Sequence, residues 1–163
     1  MQRQRGFLTL ESALTLGAYL LFGTLFLGTL ITTLMRYQES VAISQQVKTL
    51  AQAATTAYRL DTLKRRCLSS NRQTSTTDLV TQQLLSTGDY SRYQVSYRFT
   101  HQPYTYPNQV VTTVTFVSKN DKNAVSRYLN ASKETDLSLT FTTPINRSRI
   151  GIEYLNAQTG CYF

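Results

Sequence analysis

Residues Arg3–Met35 read RQRGFLTLESALTLGAYLLFGTLFLGTLITTLM. Two arginines precede an apolar stretch, Phe7 to Met35, in which Glu11 is the only charged residue. As a helix rising 1.5 Å per residue this stretch is about 43 Å long, against roughly 30 Å of bilayer hydrocarbon. Ala13–Met35 alone is long enough to span. A cleaved secretory signal has an apolar core of about 7–15 residues closed by a small-residue site. The present stretch is about twice that length, and no Ala-x-Ala pattern closes it. It therefore reads as a membrane helix. A short N-terminus carrying Arg3 and Arg5 inside, with the long remainder outside, is the simplest orientation.

Working outward, the character of the chain changes at Arg36, after which Thr, Ser, Gln, Arg and Tyr dominate. Residues 36–163 are enough for one globular domain with its own core. The helix is expected to run on past Met35 as an amphipathic rod, from about residue 8 to about residue 63. Val41, Val47, Leu50, Ala51, Ala54, Ala57 and Tyr58 recur at helical spacing, opposite Gln45, Gln46, Lys48, Gln52 and Arg59. Lys64–Thr77 has loop composition. Asp78–Thr87 reads as a short helix capped by Thr77 or Asp78 and stopped by Gly88.

Period-two alternation at Tyr93, Val95, Tyr97 and Phe99 predicts a strand. Val110–Val117 is β-branched and apolar on both faces, as in a central strand. Leu137, Leu139 and Phe141 form a third strand ended by Pro144, and Ile150, Ile152 and Tyr154 a fourth. Gln102–Asn108 and Asn120–Asn123 read as turns, while 124–132 is ambiguous between a short helix and an edge strand. The fold class is thus α+β: a long N-terminal helix, membrane-spanning and then amphipathic, packed on an antiparallel sheet of about four strands.

Cys67 and Cys161 are the only cysteines. In an exported domain they most simply form one disulfide, closing a loop of about 95 residues worth about 4–5 kcal/mol on the chain-entropy estimate. There is no Cys-x-x-Cys, and His101 is the only histidine, which argues against redox or metal chemistry. No nucleophile–base set, phosphate loop or metal-ligand cluster is recognisable, so neither enzyme activity nor a cofactor is expected. Asn130 and Asn146 begin glycosylation-type triplets, of a kind that arises by chance.

The formal net charge is +8, of which Arg3 and Arg5 supply two. Lys64, Arg65, Arg66, Arg72, Arg92, Arg98, Arg147 and Arg149 all fall in the exported part, among many tyrosines. Lys64, Arg65, Arg66, Arg147 and Arg149 are the candidate nucleic-acid contacts, by phosphate neutralisation and stacking. Solubility and contact with acidic neighbours explain the same charge and are the favoured reading.

The run from Arg3 to Glu11 resembles the class III signal of type IV prepilins and pseudopilins: a short basic leader, a glycine, a phenylalanine, and a glutamate five residues after the glycine. In that family a membrane-embedded peptidase cuts after the glycine and methylates the new N-terminus. The resemblance implies a leader of residues 1–6, cleavage after Gly6, and N-methylated Phe7 opening the mature chain. It gives 7–35 as the transmembrane and filament-core half of the helix and 36–163 as the exported pilin domain. Glu11 takes the family's assembly role, pairing with the α-amine of a neighbouring subunit.

Leu8-Thr9-Leu10 reverses the usual order of Thr and aliphatic after the Phe, and the helix carries Gly17, Gly23 and Gly28 but no proline. Those glycines serve either as a loosening point in the filament or as ordinary helix-packing positions. Both departures, with the wide cysteine spacing, suggest a minor subunit. The implied partners are other pilin subunits, prepilin peptidase and the inner-membrane assembly machinery. The implied location is the bacterial inner membrane, single-pass, and then the pilus at the cell surface, serving adhesion or motility. The alternatives are a type II secretion pseudopilin, a DNA-binding minor pilin of a DNA-uptake pilus, and an unrelated single-pass membrane protein. Asp121, Glu134, Asp136 and Glu153 are too scattered to support the calcium site that major pseudopilins carry.

Overall fold

In a computed structural model, residues 3–68, 75–86, 93–101, 106–145, 156 and 159–162 are described, with side chains from Glu11 onward. One helix, α1, runs unbroken from Arg3 to Arg65. The chain forms two compact units, Met1–Glu39 and Ser40–Phe163.

The first unit is helix alone. Leu14, Tyr19, Phe22, Phe26 and Met35 are all exposed, and apolar side chains cover every side of the helix. Its hydroxyls are satisfied from within: Thr15 donates to the Glu11 carbonyl at 2.7 Å, Thr24 to Leu21 at 2.9 Å, and Thr33 to Thr29 at 2.8 Å. Threonines bonded back to their own helix have hydroxyls that do not need water, as a helix in hydrocarbon requires of them. The helix is long and apolar enough to cross a membrane.

In the second unit the rest of α1 packs on a sheet. Ile43, Val47, Leu50, Ala51, Ala54, Ala57 and Tyr58 are buried along one stripe. Val41, expected on that stripe, is exposed. It precedes Ile43 by two residues, about 200° around the helix, and Ile43 takes the core position. Short α2 follows, Thr76–Thr81, then β1, Tyr93–Thr100, and β2, Gln109–Phe116. Next come α3, Lys119–Ser126, two-residue β3, Lys133–Glu134, and β4, Ser138–Pro144. The described strands form one antiparallel sheet in the order β1-β2-β4-β3.

The register places Tyr93 opposite Phe116, and Val114 between Val95 and Leu139. Core residues therefore line up across three strands. Ile43 and Val47 pack with Tyr93, Val114, Phe116, Val125 and Leu139. Further along α1, Leu50 to Tyr58 pack with Leu68, Leu79, Val110 and Ile145. The Tyr58 ring packs tilted against Phe99, centroids 5.6 Å apart, and its hydroxyl donates to the Leu68 carbonyl at 2.8 Å.

Two local expectations are corrected and one open reading is resolved. Asn120–Asn123 is the body of α3 rather than a turn: Ser118 caps it, its Oγ accepting from the amides of Asn120 and Asp121 at 3.1 and 3.4 Å. The ambiguous 124–132 is helical to Ser126 and then turns, with edge strand β3 following it. The cap of α2 is Ser75, in a reciprocal capping box with Asp78, instead of Thr77 or Asp78. That helix also ends at Thr81, well short of Thr87. Gln83 turns left-handed at φ 58°, and the Leu84 amide donates back to the Leu79 carbonyl at 2.9 Å. This is a Schellman stop, sealed by Leu84 packing on the cluster that contains Leu79. The expected strand at Ile150–Tyr154 and the Gly88 stop lie outside the described residues.

One side chain in the sheet is mismatched to its surroundings. Thr112, 0% exposed on β2, faces α1, and its Oγ1 has no hydrogen-bond partner among the described residues. An unpaired buried hydroxyl costs about 1–3 kcal/mol. Thr112→Val is therefore expected to raise the urea midpoint of the full chain in detergent, by about 1 kcal/mol of stability. A lowered midpoint would show that the hydroxyl has a partner after all.

Candidate assembly helix and basic end

Glu11 lies just over one turn past Phe7, and both are on α1 with Gly6. The side chains of residues before Glu11 are outside the described set. Glu11 itself is exposed and forms no ion pair among the described residues. In a bilayer a lone carboxylate costs at least about 2.5 kcal/mol by insertion scales, so its position calls for a partner. Within one helix, Glu11 and the nitrogen of Phe7 differ by four residues, a rise of about 6 Å.

At the other end of α1, Lys64, Arg65 and Arg66 are all exposed. Arg65 is tied to Asp61 one turn back at 3.1 Å. Arg66 leaves the helix left-handed at φ 54°. Cations in a last turn also complement the partial negative charge of the helix C-terminus. Arg147 and Arg149 lie outside the described residues, so this end is described from Lys64, Arg65 and Arg66 alone.

Immediately after Arg66 the C-terminus closes onto the helix end. Cys67 and Cys161 are disulfide-bonded across 94 residues of sequence. Backbone bonds flank them: Leu68 N–H to the Gly160 carbonyl and Tyr162 N–H to the Arg66 carbonyl, both 2.7 Å. Gly160 sits at φ 68°, a left-handed turn that glycine adopts without steric cost.

The acids of the sheet region are paired with lysines. Lys119 meets Asp136 at 2.9 Å. Lys122, 4% exposed, donates to Glu134 and to the Thr135 carbonyl. The sequence signal for this clasp is slight: lysines three apart on a helix, acids two apart on a strand and turn. The Lys119 ammonium, by hydrogen bond and then by charge, holds the Asp136 carboxyl below its usual range. Its small contribution to stability is therefore present above the ordinary carboxylate pKa and lost as pH falls through the depressed one. No group of acids, histidines or cysteines able to hold a metal ion occurs among the described residues. His101 is half-buried just after β1.

Lys122 joins α3 to the sheet through its stem as much as its charge. Lys122→Met, which keeps the stem, is expected to stay within about 1 kcal/mol of the parent, because the Glu134 side chain it releases is half-exposed and can be hydrated by water instead. Lys122→Ala, which opens a cavity beside Val125, is expected to lose about 2 kcal/mol. Equal losses in the two, measured by urea unfolding, would place the stabilisation in the charge alone.

Compared with known proteins, the chain matches no family model, no curated protein and no solved structure.

Proposed function

We propose that this chain is a type IV pilin-like precursor: a structural, non-enzymatic subunit, fitting a minor one, of a type IV pilus or related filament. On this reading it is processed after Gly6, held in the bacterial inner membrane by Ala13–Met35, and later packed helix against helix in the fibre. Prepilin peptidase and the assembly machinery of the inner membrane are its partners before extraction, and other pilin subunits afterwards. The observation that carries the reading is the joining of two features in one element. The apolar half of a helix, with a single carboxylate five residues after a glycine that follows a basic leader, continues without interruption into the spine of an α+β head. A membrane anchor needs neither the carboxylate nor the continuity. A subunit that transmits its position in a fibre to its head needs both.

Mass spectrometry of the chain recovered from membranes of a cell containing a prepilin peptidase tests this directly. The expected N-terminus is Phe7 carrying one extra methyl group. An intact Met1, or a cut anywhere other than after Gly6, leaves an ordinary single-pass membrane protein.

A further inference from the structure

The Ser40–Phe163 unit has two ends, and its exposed aliphatic residues are divided between them. Along β2 from Val110 to Phe116, the packing partner on α1 moves from Leu50–Tyr58 back to Ile43–Val47. The Phe116 end of the sheet is therefore the end at which α1 enters the unit, where Ser40 is buried. Val117 follows Phe116 directly and is 76% exposed. Leu137, 45% exposed, lies beside it, because the Phe116 amide donates to the Leu137 carbonyl at 2.8 Å. Around these two, the Lys119–Asp136 pair satisfies its own charges. At the opposite end Leu60 and Leu63 are also exposed, but next to Lys64 and Arg66.

We propose that the Val117–Leu137 end rests on the headgroup–acyl boundary of a lipid bilayer. The inference depends on the proposed membrane span ending at Met35. Met35 and Ser40 are five residues apart, so even a fully extended chain keeps them within about 17 Å. Chain length alone thus keeps Ser40, where α1 enters this end of the unit, within that distance of the last residue of the span. Two aliphatic side chains within a self-compensated ion pair suit that boundary: the apolar groups enter the acyl edge while the lysine and aspartate stay hydrated. A charged protein partner would find no unmatched charge in the Lys119–Asp136 pair to complement. The contact would hold the head against the membrane until the subunit is withdrawn into a fibre.

The test uses the full chain in phosphatidylcholine vesicles. Since the two native cysteines are bonded to each other, single thiols introduced as Val117→Cys, Leu137→Cys, Leu63→Cys and Leu25→Cys can be labelled with an environment-sensitive dye. Lipids carrying a nitroxide near the headgroup are expected to quench the dye at 117 and 137 and to leave it unquenched at 63. Nitroxides deep in the acyl chains should quench position 25. Quenching at 117 no greater than at 63, with position 25 still quenched, overturns the contact and leaves the span standing. A blue shift at 117 without lipid quenching means that another protein copy covers the patch, which also overturns it. Loss of quenching at position 25 removes the span itself, and the contact with it.

Discussion

Replacing Cys161 with Ser, or reducing its bond to Cys67, is expected to cost the head about 4–5 kcal/mol, the chain-entropy value for a closed loop near 95 residues. Set against a total stability of about 5–15 kcal/mol for an ordinary domain, that loss leaves the native state marginal. The geometry says which part goes first. The bond sits between two backbone hydrogen bonds, Leu68 to Gly160 and Tyr162 to Arg66, and beside the Tyr58 hydroxyl on the Leu68 carbonyl. Without the covalent link these few bonds must hold the C-terminus at the end of α1 by themselves. Urea unfolding of the full chain in detergent, with and without reductant, measures the loss. The far-UV signal of α1 residues before Ser40 should persist while the head unfolds. A change below about 1 kcal/mol would mean that the unfolded chain is already constrained there without the bond.

Burial periodicity made most of this fold readable in advance. The β1 alternation and the two-sided burial of β2 are written as Tyr93, Val95, Tyr97, Phe99 and as Val110, Val111, Val114. The α1 stripe is legible for the same reason, apart from Val41, whose apolar character does not place it on the buried side. What failed was punctuation. Asn120-Asp-Lys-Asn has turn composition, and the signal against it, Ser118 as a cap, is one residue type among several that also occur in turns. Only Val125 and the stem of Lys122 give α3 an apolar face, too little for periodicity to register. The early stop of α2 depends on a glutamine in a left-handed conformation, which no composition rule anticipates. The residues proposed for processing and assembly differ in kind: Gly6, Phe7 and Glu11 stand out by spacing, but a partner for Glu11 on another chain leaves no trace within this one.

Glu11→Ala is expected to leave insertion and cleavage after Gly6 intact and to abolish incorporation into filaments. The competing explanations predict opposite signs. If Glu11 were an incidental acid near the membrane surface, removing it would relieve an insertion cost of at least about 2.5 kcal/mol and the variant would be held in the membrane as well as the parent or better. Under the proposed function, the carboxylate instead meets the new α-amine of a neighbouring subunit, whose reference pKa near 8 keeps it mostly protonated at neutral pH. Losing one partner then leaves an uncompensated ammonium in the apolar core of the fibre, a penalty of about 3–5 kcal/mol for a buried pair, or more than a hundredfold in the equilibrium for adding a subunit. Glu11→Gln should fail nearly as badly, since it keeps the shape and removes the charge. Glu11→Asp should retain part of the activity. The measurement is the ratio of processed subunit in sheared filaments to that in membranes, for all three variants in parallel. Filament incorporation of Glu11→Ala equal to the parent would detach Glu11 from assembly and return the carboxylate to the status of a tolerated accident.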